Sequence, residues 1–219
     1  MKKDFFKYFV ILIAVVGISM ITFAFDEDSE VSIGVKRGSK IDNSATLISS
    51  QISFLLYDKE SKSFKELNDS SSVKSGNQFL INVKNSTVSY LYILNVDASN
   101  KLYSLFPSKE ISQSNPLWGN KPLSLPISTN KETAMYEFDD NRGKETYYVF
   151  VSKTKLEDIE KIVKDIPSDG INIENNSAIV RKIENLHKEG IKNVQSGPGA
   201  SRIVWFKKFY SKKLIFNHE

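Results

Sequence analysis

The sequence predicts an α+β protein dominated by β-structure: an antiparallel β-sandwich or barrel-like core, two helices near the C-terminal side, and a terminal β-hairpin. Three observations carry that expectation. Short runs of alternating apolar and polar residues recur through the first two thirds of the chain. Two further runs, residues 89–96 and 146–152, are apolar on both faces, as in strands covered on both sides of their sheet. Beyond Ser152 the period becomes that of amphipathic helices. Strands first and helices afterwards point to a mainly antiparallel sheet with helices packed at one side or end.

The N-terminus reads as an address. Lys2, Lys3 and Lys7 precede residues 8–25, which carry no charge, so a basic segment leads into an apolar one. Thr22 and Ala24 place small residues for cleavage after Ala24, making residues 1–24 a signal peptide. An uncleaved anchor over residues 5–25 is the alternative, because the run approaches the roughly 20 residues that span a bilayer. In both cases the leading positive charge puts the rest of the chain outside the cytoplasm, in the periplasm, secreted, or on the cell surface. A polar segment at 25–43 then leads into one β-rich domain at 44–219.

Composition excludes several chemistries. The chain has no cysteine, which removes disulfides, thiolate metal sites, thiol nucleophiles and a lipid-modified cysteine together. Its formal charge of +4 includes the basic leader, and the remaining positive charge is scattered. Nucleic acid is therefore not an expected partner. Contact with membrane is expected only through the N-terminal segment, if that is retained.

Taken in order, residues 31–36 form a short strand candidate, and residues 44–57 a longer one with Ile52, Phe54 and Leu56 on one face. Residues 64–67 return after a turn, and 68–77 read as a loop rich in turn-forming residues. In residues 79–84, Phe79, Ile81 and Val83 point inward. Residues 89–96 and 101–106 form a hairpin about "DASN", and Pro107 ends it because proline cannot donate to a ladder. Residues 108–126 are an irregular excursion, 132–138 a strand candidate, and 146–152 a second buried strand. Thr154 and Glu157 are spaced as a capping box. Leu156, Ile159, Ile162 and Val163 give the helical stripe that follows, and Pro167 stops it. A second helix over 177–189 has Ile179, Val180, Ile183 and Leu186 on its apolar face, with Gly190 just past its end. Residues 202–206 and 214–217 make the closing hairpin.

The pieces "VKSGNQFLINVK", "SYLYILNVDASNKLYSLFPS", the Asn115 and "LSLP" region, and "GKETYYVFVSKTKLEDI" stand in the order found in a known group. From residue 71 to 162 the chain resembles the bacterial family known as domain of unknown function 4384. Asn77 stands where that family usually has Asp, and Asn100 where it usually has Gly; Asn tolerates the left-handed backbone better than most residues. The resemblance implies an exported β-rich module, in some relatives joined to caspase-like peptidase or kinase domains. It implies no reaction and brings no catalytic residues.

Candidate chemistry is sparse. His187 and His218, the two histidines, read as a helix-edge residue and a tail residue, without the partners that a zinc or Ser-His-Asp site requires. Asp139, Asp140 and Glu145 cluster about a turn with Arg142. They would serve a carboxylate-based glycan hydrolase only if they share a cleft. Binding candidates are Trp118, with Asn115 and Lys121, in the excursion, and Trp205, Lys207 and Lys208 in "WFKKFYSKK". Trp118 would stack on a sugar or anchor a partner, unless it folds back to cap the sandwich. The lysines would touch an anionic surface, unless they only guard an edge strand. The expectation is a non-catalytic envelope module, without cofactor or metal, that binds an envelope protein or glycan. The alternatives are the hydrolase and an assembly factor that pairs through an edge strand.

Overall fold

Alternation sets the first sheet. In the strand β1 (Ile48–Asp58), Ile48, Ile52 and Phe54 are buried, and β4 (Gln78–Asn85) buries Phe79, Ile81 and Val83. The two pair antiparallel from Ser50↔Asn85 to Tyr57↔Gln78. The computed structural model describes residues 47–108, 115–127, 134–192, 194–195 and 203–219, with the main chain alone for residues 194, 195, 203 and 205. The expected signal peptide at 1–24 and the strand candidate at 31–36 lie outside the described residues, as does part of the candidate at 132–138.

The remaining strands are β2 (Ser63–Leu67), β3 (Ser72–Val73), β5 (Tyr90–Val96), β6 (Lys101–Phe106), β7 (Leu123–Leu125), β8 (Tyr136–Glu137), β9 (Gly143–Ser152), β10 (Ile171–Asn172), β11 (Val194–Gln195), β12 (Ile203–Phe206) and β13 (Phe209–His218). The helices are α1 (Glu157–Asp165) and α2 (Ser177–Ile191). One sheet runs β11-β12-β1-β4-β7, with β2 beside β1 and β8 beside β4. The other runs β10-β6-β5-β9-β13-β3. Neither closes into a barrel, so the sandwich form of the expectation holds.

The two-faced strands occupy the middle of the second sheet. Leu91 and Ile93 of β5, with Tyr147, Val149 and Val151 of β9, join the core shared with the first sheet. Tyr92, Leu94, Tyr148 and Phe150 face the other way, into a second core with Ile159 and Ile162 of α1 and Ile183 of α2. The described residues of the 42–219 unit are thus layered sheet, sheet, helices. A central layer covered on both faces cannot alternate apolar with polar, which is the pattern both strands show.

Four expectations are corrected. The terminal hairpin does not form: β12 pairs with β1 in the first sheet and β13 with β9 in the second, so residues 207–208 cross between the layers. The capping box does not form either, because α1 begins at Glu157 with Leu156 as its N-cap and no side-chain cap. Instead the Leu156 amide donates to the Tyr92 hydroxyl at 3.2 Å, and that hydroxyl donates to Glu160 at 2.8 Å. Gly190 is not past the end of α2 but inside it and buried. A Cβ there would lie 2.7 Å from Ser211 Cβ and 2.8 Å from Ser211 N, so glycine is what lets α2 approach β13. Finally, the loop at 68–77 holds β3, which pairs parallel with the end of β13.

The family departures are accommodated. Asn100 takes φ 60°, in the left-handed region. The Asn77 side-chain oxygen accepts from the Lys74 amide at 2.9 Å, a bond that an aspartate would also make.

Two stability changes follow. Gly190→Ala gains helix propensity but crowds main chain that cannot retreat, and should destabilise by about 1–3 kcal/mol in urea unfolding. Tyr92→Phe keeps the ring and strands the Leu156 amide, and should cost about 1–2 kcal/mol in the same assay.

Candidate functional site

The edge of β6 shapes a concavity. One side of β6 pairs with β5, while the other meets β10 only at Lys101 and Leu102. Among the described residues no strand pairs with residues 103–106 on that outer side. Two cavities, of about 480 and 190 Å³, open there and share Tyr103, Leu105 and Tyr136, so they form one groove. Pro107, Pro126 and Ile127 wall the larger on one flank; Val163, Lys164, Pro167 and Ser168, at the end of α1, wall the other.

The smaller cavity gathers polar groups. Glu145 is 5% exposed yet carries a carboxyl. Its two oxygens accept from the Ala98 amide at 3.0 Å and the Asn95 side-chain amide at 3.2 Å. Burial pushes that carboxyl above the ordinary glutamate value, against the lowering by those two bonds. Asp97 and Asp139 line the same cavity. Tyr147 lines it too, and burial raises its phenol well above the ordinary value. Behind Glu145 lies His218, with Nδ1 at 4.0 Å from Oε1 and without a hydrogen-bond partner, and Nε2 at 3.2 Å from Ser75 Oγ. His218 is therefore no loose tail residue: it is 4% exposed and ends the longest ladder of the second sheet.

The acidic cluster divides. Asp139 and Glu145 share the cavity, whereas Asp140 is exposed and not part of its wall. Asp139 holds a turn, accepting from the Asn141 amide at 2.8 Å. His187 bonds Ser211 Oγ at 2.9 Å on the sheet below, and burial lowers its pKa.

The excursion divides likewise. Asn115 bonds both main-chain groups of Leu91, accepting at 2.9 Å and donating at 2.8 Å, where Pro107 has ended the β6 ladder. Leu117 then pairs with Ser89 and is buried. Trp118, 70% exposed, does not fold back over the sandwich; Leu117 fills that place. Its register opposite Ser89 sets Trp118 across from Val88, also exposed. Lys121 is exposed three residues on from Trp118; Lys207 and Lys208 are exposed at the crossing between sheets, where Lys208 lies 3.8 Å from Glu189. The side chain of Trp205 lies outside the described residues.

Residues 72–155 match the model of the family described as Domain of unknown function (DUF4384). The match covers less than half of the chain and shows a likeness to that family over this segment. No curated protein and no solved structure matches the chain. The DUF4384 segment runs from β3 to the end of β9, and so supplies Trp118 and every wall of the smaller cavity. The α1 flank of the larger cavity comes from beyond it.

Sequence reading placed Glu145 in a turn and did not single out Tyr103, Tyr136 or Tyr147. The alternation of Glu145 with Tyr147 along one strand was the available signal, since it sets both on the face toward the first sheet.

A raised carboxyl favours its protonated form in the folded state. Its stability cost is absent below the unfolded value and complete above the raised folded one. Wild type should therefore gain stability over Glu145→Gln as pH falls from about 8 to about 4 in urea unfolding. A flat difference, or the opposite slope, would remove the desolvated carboxylate from the account.

Proposed function

We propose that the protein is an exported, non-catalytic module of the bacterial envelope that binds another envelope component in the groove beside β6. The supporting observation is the coincidence of a cavity of about 480 Å³ with a stretch of strand edge that no described strand covers. An extended segment laid there gains main-chain hydrogen bonds from the edge and side-chain pockets from the groove. The basic and apolar leader favours export, and the DUF4384 segment brings no assigned reaction. Trp118 with Val88 forms a separate apolar tip that suits a glycan or a second contact.

One observation favours a hydrolase as the second reading. Asp139 and Glu145 line one cavity, and a carboxyl with a raised pKa suits a general acid. Turnover of envelope glycan, abolished by Glu145→Gln, would replace the binding reading with this one.

Capture separates the outcomes. Tagged protein incubated with solubilised envelope should retain a discrete protein, and Ser168→Trp, which fills the groove from an exposed position, should release it. Retention on purified peptidoglycan that is lost on Trp118→Ala would move the site to the excursion.

A further inference from the structure

We propose that the smaller cavity is a seat for an alkylammonium group, the lysyl side chain of an extended peptide lying along β6. The assignment rests on the binding reading above and names the chemistry of its ligand. The walls are of two kinds. Phe79, Phe138 and Tyr147 are buried and make the floor, while Tyr103 and Tyr136 are half-buried and make the sides. Aromatic faces attract organic cations, more strongly once the cation is out of water.

The other wall residues are acidic. Asp97, Glu137, Asp139 and Glu145 all contribute, and the lining contains no lysine, arginine or histidine. Among the described residues none of the four pairs with a lysine or arginine. Their hydrogen bonds come from neutral donors. Asp97 accepts from the Lys101 amide, Glu137 from Gln78, Asp139 from Asn141, and Glu145 from Ala98 and Asn95. His218, 4.0 Å from Glu145, is the one basic ring close by. The carboxylates of Asp97, Glu137 and Asp139 are thus held in place without a lysine or arginine beside them among the described residues.

Tyr147 adds a separate observation. It is 3% exposed and lines the cavity, and its hydroxyl has no hydrogen-bond partner among the described residues. An ammonium N–H would give that hydroxyl the donor it lacks.

Size and setting select the ligand. About 190 Å³ is below the roughly 300–1,000 Å³ of sites for drug-sized molecules, and suits one cationic head. A bare metal ion fits less well, since no three His, Asp or Glu side chains among the described residues converge closely enough to hold one. The cavity continues past Tyr103 and Leu105 into the larger one, whose walls include Ile127 and Val163. A peptide running beside residues 103–106 would place its lysine at the acidic end and an apolar side chain at the other.

The test titrates the full chain in detergent with two valine-rich pentapeptides, one with a central lysine and one with norleucine, its neutral isostere, and with choline. The lysine peptide should bind saturably and about tenfold tighter than the norleucine peptide. Asp139→Asn and Tyr103→Ala should each remove most of that difference while thermal unfolding stays within a few degrees of wild type. Equal binding of the two peptides, or an unchanged preference in both variants, overturns the seat. So does choline binding tighter than the lysine peptide, which would mark a quaternary headgroup site. Envelope capture by wild type together with equal binding of the two peptides discards the seat alone; a lysine preference in wild type that captures nothing from the envelope discards the module reading instead.

Discussion

The pairing of β5 with β9 is the constraint on which the remaining architecture depends. Seven residue pairs, from Tyr90↔Ser152 to Val96↔Thr146, join two strands with apolar side chains on both faces. Such a ladder is unfavourable in water on either side, so both sides must be covered by something apolar. The first sheet covers one and the two helices the other. Polar tips on the helical side then fix the helices in place. Tyr92 reaches Glu160 of α1, and Tyr148 reaches Glu184 of α2, which also takes Lys213 of β13 at 2.7 Å. Buried tyrosines with a satisfied hydroxyl give both contact area and orientation.

Coverage runs out toward β6. Here the neighbouring strand on the outer side is two residues long, and a proline stops the ladder. Asn115 completes the β5 edge beyond that point with a side-chain amide that mimics a strand residue. The groove is what remains between the finished part of the edge and the end of α1. Its acidic end is acidic because strands β5, β8 and β9 deliver their polar termini to the same place, next to aromatic side chains that belong to the core.

The central layer was legible because its signal is local. Residues 89–96 and 101–106 announce a hairpin by composition, and both-faced apolarity announces burial. Helix α1 was legible by its stripe, yet its cap was not, since the capping hydroxyl comes from Tyr92, far away in sequence. Partner choice among strands was the recurring loss. Nothing in residues 202–217 says that consecutive strands part company between two sheets, because either pairing satisfies the same alternation. Two-residue strands such as β3 and β10 carry no pattern at all. The candidate site suffered in the same way: Glu145 and Asp139 were visible as acids, but their convergence with Tyr103 and Tyr147 depends on how three strands, β6, β8 and β9, come together.

The long pairing of β13 with β9 has a consequence for how the chain is made. All ten residues of β13 find their partners in β9, which is synthesised earlier with both helices in between. Until β13 emerges, β9 presents an open, apolar edge, and the DUF4384 segment by itself cannot close its own middle sheet. A product shortened at the C-terminal side would keep that edge exposed. Such an edge is a template for another chain, and a natural point of entry for proteases. Intact synthesis through β13 is therefore built into the fold as a condition of solubility.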